Sequence, residues 1–104
     1  MSCEFTKFVI ADISNSHITK RDGELMTAEY IPFLLADVVG DTGSILFVPE
    51  PKVTSAEECA TRFRELGYSE AFIALFLELQ KQGIPYVRFD ADGSFVKGAP
   101  VFEW

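Results

Sequence analysis

SEAFIALFLELQKQGIPYVRF, residues 69–89, sets one helix and one strand back to back, and the rest of the chain can be arranged around them. Phe72, Leu75, Phe76 and Leu79 stand at i, i+3, i+4 and i+7, the spacing that lines one face of an α-helix. Ser69 suits the N-cap, Glu70 the positive end of the helix dipole, Lys81 the negative end, and Gly83 the left-handed residue that closes the last turn. Each of the four apolar side chains is worth roughly 1.5–3 kcal/mol when buried, so this helix is expected to carry the core. Ile73 and Leu77 widen the apolar stripe beyond one face. Either the helix is covered on two sides within the domain, or Ile73 and Leu77 meet another chain. After Gly83, residues 84–89 read as a strand.

Upstream, Thr54 and Ser55 are each followed three residues on by a glutamate, Glu57 and Glu58, a pattern of helix N-termini. Ala56, Cys59, Ala60, Phe63 and Leu66 share one side of the helix that follows, with charges on the other, so it is amphipathic. Gly67 and Tyr68 make a link short enough for a helical hairpin. Residues 30–39 and 44–48 are β-rich and flank Gly40-Asp41-Thr42-Gly43, which predicts a hairpin. Pro32 makes the first of these runs start late or lie at an edge, and Pro49 and Pro51 stop the second. Residues 5–13 are dense in Phe, Val and Ile, which predicts a central strand buried on both faces. Residues 14–19 are small and polar, a loop; Thr19 with Asp22 resembles a capping pair for a short helix over 20–27, despite Gly23.

The predicted order is β-α-β-β-α-α-β, an α/β (α+β) single two-layer domain over residues 1–104, with a mixed four-stranded sheet covered by helices. If every connection reverses the chain, the first and last strands run the same way, and residues 14–17 and 90–93 share one edge. If the two later helices form one bent crossover, the topology is ferredoxin-like, and His17 and Asp90 lie at opposite ends.

With 104 residues, 48% hydrophobic content and 10 Phe, the chain can hold one compact core. Its net charge of −7 is uneven: residues 1–50 carry 8 acidic and 3 basic side chains, residues 51–104 carry 8 and 6. Such a chain repels phosphate backbones and anionic lipid, which disfavours nucleic acid and membrane surfaces and favours basic protein surfaces. Cys3 and Cys59 form no CxxC or Cys/His ligand spacing, so neither a disulfide framework nor a zinc site is indicated. No apolar run approaches the ~18 residues of a membrane span, and the N-terminus lacks signal-peptide regions, so a cytoplasmic location is expected.

Few residues offer chemistry. His17 is the single histidine; with Ser14 or Ser16 as nucleophile and Asp90 or Asp92 as orienting carboxylate, a hydrolytic triad can be drawn. No Gly-x-Ser-x-Gly elbow surrounds either serine, and the plainer expectation is that His17 hydrogen-bonds backbone at a turn. Asp90-Ala91-Asp92-Gly93 fails as an EF-hand loop, since Arg88 and Ala99 occupy the positions that need acids; an Asp-Gly turn accounts for it. No phosphate-binding loop or other cofactor motif is present, and no cofactor or metal is expected. The final residues, Ala99-Pro100-Val101-Phe102-Glu103-Trp104, place two large aromatics where chains usually fray. They either pack back on the domain or anchor it in a partner through Phe102 and Trp104.

Four blocks, residues 14–19 (SNSHIT), 68–72 (YSEAF), 89–93 (FDADG) and 100–104 (PVFEW), resemble the signatures of a family of small bacterial proteins of unknown function, often plasmid- or phage-associated. The resemblance does not extend to residues 30–53. It implies a mobile-element accessory protein and assigns no residue a catalytic role. Two functions remain: an accessory or inhibitory protein that binds a basic host-protein surface, with Phe102, Trp104, Ile73 and Leu77 as contacts and a second copy as another candidate partner; or a small hydrolase or metal-dependent enzyme built on His17, Asp90 and Asp92.

Overall fold

Each α-helix begins where a side chain takes up a loose backbone group. A computed structural model describes residues 4–26, 34–37 and 44–103, with side chains for all but 34–37 and 44. It contains β1 (Ile10–Ser14), α1 (Lys20–Met26), β2 (Leu34–Asp37), β3 (Ser44–Phe47), α2 (Ala56–Glu65), α3 (Glu70–Lys81) and β4 (Tyr86–Asp90). The Ser69 hydroxyl accepts from the Phe72 amide at 3.1 Å and the Ser55 hydroxyl from the Glu58 amide at 3.1 Å, the expected N-caps of α3 and α2. At the start of α1, the Thr19 amide donates to the Asp22 carboxylate at 2.9 Å, and the Asp22 amide donates back to the Thr19 hydroxyl at 3.1 Å. Gly83 adopts φ 73° beyond α3, so the Ile84 amide can reach the Leu79 carbonyl at 3.0 Å.

Helices α2 and α3 meet through aromatic rings. Phe63 packs edge-on against Phe72 and Phe76, with ring centroids 4.9 and 4.8 Å apart, and all three are fully buried. Phe72 continues the contact down to Phe89 on β4, at 5.5 Å. Ile73 is 3% exposed, so the wide apolar stripe of α3 is covered on two sides by its own domain. Ile73 is therefore a core residue and cannot serve as the partner contact expected of it. Leu75 and Leu77 are half-buried against the same core.

The strands pair in the order β1-β4-β3-β2. β1 runs parallel to β4, with Ile10 opposite Tyr86 and Ser14 opposite Asp90, while β3 is antiparallel to both β4 and β2. The mixed α/β class and the shared edge of residues 14–17 and 90–93 are thus as expected. The ferredoxin-like alternative is excluded, because it would not set the first and last strands side by side and parallel. Two further expectations are corrected. β1 lies beside β4 alone among the strands, at the sheet's edge rather than its centre, and it starts at Ile10. Phe5, Phe8 and Val9 precede it with 76%, 62% and 65% of their surface exposed, so their apolar run is not a strand buried on both faces. The turn at 40–43, together with Pro32, lies outside the described residues. No helix of the described residues is long and apolar enough to cross a membrane.

Candidate functional site

His17 ends a 3-10 turn, Asn15–His17, that leaves β1 directly. It is 1% exposed, and both ring nitrogens are engaged: Nδ1 lies 2.7 Å from the Pro100 carbonyl, and Nε2 accepts the Val96 amide at 2.8 Å. That pairing defines a neutral ring with its proton on Nδ1, since a carbonyl can only accept. A histidine so held has no lone pair to offer a serine. Ser14 is 1% exposed, and its hydroxyl accepts from the Ser16 amide at 3.2 Å. Asp90 pairs with Arg88 at 3.2 Å and accepts the Asp92 amide at 3.3 Å, while Asp92 is exposed in the turn. The five residues are brought to one edge of the sheet but not into a relay.

The same bonds show what this edge does. Gly93 passes so close over β1 that a Cβ there would collide with the Ile13 carbonyl and the Ser14 amide. Ser94 then pairs with the outer edge of β1, its amide donating to the Asp12 carbonyl at 3.0 Å and its carbonyl accepting the Ser14 amide at 2.9 Å. Beyond it, His17 clasps the segment at Val96 and Pro100, and the Phe102 amide donates to the Ser16 carbonyl at 2.7 Å. Phe102 is half-buried, so the tail packs back on its own domain at this residue; Trp104 lies outside the described residues. Leu77 lies in a shallow groove with Pro51, Ala56 and Ala74.

Asp22 was legible only as a capping residue, yet it is fully buried and joins two helices. Its carboxylate accepts from the Ser69 amide at 2.7 Å and the Ser69 hydroxyl at 2.6 Å, in addition to the Thr19 amide. Beside it, the Tyr68 hydroxyl is buried and without a hydrogen-bond partner among the described residues. Burial, and then the Asp22 charge, push the Tyr68 pKa up to about 12. Among the described residues no group of three or more His, Cys, Asp or Glu could hold a metal ion.

The surface that remains open is the outer face of the sheet. Alternate residues of β1, β4 and β3 divide into two sets: Ile13, Val87, Phe89 and Leu46 face the helices and are buried. On the other side, the register aligns Ile10, Tyr86 and Phe47 in one row and Asp12, Arg88 and Ile45 in the next. Ile10 and Phe47 are 45% and 40% exposed. Phe8 joins the first row, with its ring edge-on to Tyr86 at 5.7 Å, and Phe47 is tilted against Tyr86 at 6.0 Å. In the second row Arg88 holds both Asp12 oxygens, at 3.1 and 2.9 Å. The Arg88 guanidinium, as hydrogen-bond donor, keeps the Asp12 carboxyl below the usual carboxylate range. Sequence reasoning missed this row. The alternation in Tyr86-Val87-Arg88-Phe89-Asp90 was its available signal, since a strand covered on both faces does not place an arginine between two buried residues.

A two-layer α/β domain with helices on one side of a mixed sheet and a partly exposed aromatic row on the other is the class these features define among the described residues. The chain belongs to a family of unknown function: the model of the DUF5983 C-terminal domain matches residues 10–104. That match also spans residues 30–53, which the four sequence blocks left unassigned. No curated protein and no solved structure matches the chain.

Proposed function

We propose that the protein acts by binding, as a small acidic accessory protein of a phage or plasmid that docks in the cytoplasm on a basic surface of a host protein and inhibits it. The observation that carries this reading is the row of exposed Phe8, Ile10 and Phe47 around half-buried Tyr86, which lies outside the buried core of the described residues. The net charge of −7 supports a basic partner, which it would attract and orient during encounter. The mobile-element context comes from the resemblance of the four sequence blocks. The hydrolase alternative has no comparable support, because His17 spends both ring nitrogens on backbone groups. The contact surface assigned here differs from the one read off the sequence: Ile73 lies in the core, and the Phe102 amide is bonded to its own domain.

The test is capture from bacterial lysate on immobilised wild-type protein and on a Phe47→Ser variant, at low and raised salt. One host protein retained in stoichiometric amount by the wild type, lost from the variant and released by salt is the expected result. Equal retention by both proteins, or none by either, would overturn the reading.

A further inference from the structure

The structure assigns a specific chemistry to the occupant of the outer sheet face: we infer that it is a lysine- or arginine-bearing segment of a partner protein, its cationic side chains laid over the rings of Phe8, Tyr86 and Phe47. The inference rests on the binding reading above and names what that site would take. Three rings in contact, Phe8 on Tyr86 and Tyr86 on Phe47 at inclinations of 81° and 55°, form an aromatic surface in which Phe8 and Phe47 are exposed and Tyr86 is half-buried. Ring faces carry the negative side of the aromatic quadrupole and attract cations, while the alkyl stems of Lys and Arg are suited to an apolar floor such as Ile10.

The charges around the row point the same way. Beyond this row the guanidinium of Arg88 is flanked by two carboxylates, Asp12 opposite it and the buried Asp90 one row further, and the Asp12 side chain is 41% exposed against 29% for Arg88. At the other side, Phe8 forms one wall of a groove of about 210 Å³ whose remaining surface includes Pro49, Pro51, Pro85 and the exposed Glu50. Such a groove suits one long side chain with an apolar stem and a positive end; Glu50 has no ion pair among the described residues. A second copy fits less well, since each would bring a charge of −7 and the same acidic rim to the contact. Nucleic acid is repelled on the same ground.

The probe is a synthetic nona-arginine peptide, with nona-glutamate as control, titrated calorimetrically into the full chain and followed by NMR shifts. Nona-arginine is expected to bind with shifts centred on Ile10, Phe47 and Tyr86, and nona-glutamate not to bind. Phe47→Ala should weaken binding by about twofold to fivefold, the range of an exposed cation–π contact, and Glu50→Gln by about the same factor. Phe8→Ser, at a site before β1 that no strand depends on, repeats the test without risk to the fold. Unchanged affinity in both aromatic variants would mean attraction by bulk charge alone and would overturn the inference, as would failure of the wild type to bind. The capture experiment separates the two claims. A host protein held through Phe47 that excess nona-arginine does not displace sinks this inference and leaves the binding reading standing, whereas peptide binding with no host protein captured does the reverse.

Discussion

The two faces of the sheet are built from alternate residues of the same strands, and both carry a large apolar row, yet one is a core and the other, which also holds Asp12 and Arg88, is a surface. On the covered side, Val87 and Leu46 are fully buried beneath the packed rings of Phe63, Phe72 and Phe76. On the open side, Tyr86 and Phe47, their immediate neighbours in sequence, touch one another, Tyr86 also touches Phe8, and Phe47 is 40% exposed. For Tyr86 and Phe47 residue type does not separate surface from core; coverage does. Two helices of 10 and 12 residues, α2 and α3, occupy one side, and no helix of the described residues occupies the other.

Truncation is the sharpest way to break this comparison. Phe72→Ala, which empties the centre of the covered side, is expected to cost about 3–5 kcal/mol in a urea unfolding titration, and Phe47→Ala on the open side about 1 kcal/mol or less. Similar losses at both sites would mean that the open face is buried in solution. Asp22→Ala tests how the helical layer is held over the covered side. It strands the amides of Thr19 and Ser69 and the Ser69 hydroxyl, for an expected loss of about 2–3 kcal/mol, and full stability in that variant would remove Asp22 as the tie between α1 and α3. Gly93→Ala tests the closed end of the open face, where there is no room for a methyl group over β1. A loss of about 1–3 kcal/mol is expected, with faster amide exchange at Ser94 and Val96.

The smallest effect belongs to Tyr68→Phe. Removing a buried hydroxyl that has no hydrogen-bond partner among the described residues should leave stability within about 1 kcal/mol of wild type or raise it. The alkaline limb carries a clearer sign. A Tyr68 pKa of about 12 in the fold, against roughly 10 in the unfolded chain, means that the native state holds more protons between those values. Stability therefore falls as pH rises through that window, and the phenylalanine variant should lose that part of the slope; an unaltered slope in thermal melts would contradict the burial of the hydroxyl.

What the sequence made legible follows from which signals are local. Caps at Ser55 and Ser69, the turn at Gly83 and the Thr19–Asp22 pair depend on neighbours within four residues, and all are present in the fold. The common direction of β1 and β4 was reachable by counting chain reversals, but their direct pairing was not. Coverage is not local, which is why residues 5–13 misled: a run of Phe, Val and Ile has the composition of a doubly buried strand whether or not anything lies on its second face. The candidate site failed for a related reason. His17, Asp90 and the serines do share an edge, but His17 and Ser14 bond backbone groups of Pro100, Val96 and Ser16, which no residue-type pattern announces, and Asp90 pairs with Arg88.

The clasp at His17 also bears on how the domain comes into being. Its two bonds join residues 79 and 83 positions apart, and β1 finds its strand partner, β4, across a similar span. Contacts of such range close late and slow the search for the native state. During synthesis the first strand and the aromatic arm before it emerge long before anything that can pair with them. A nascent chain interrupted ahead of β4 would carry an unpaired strand edge beside Phe5, Phe8 and Val9, the combination that recruits chaperones or aggregates.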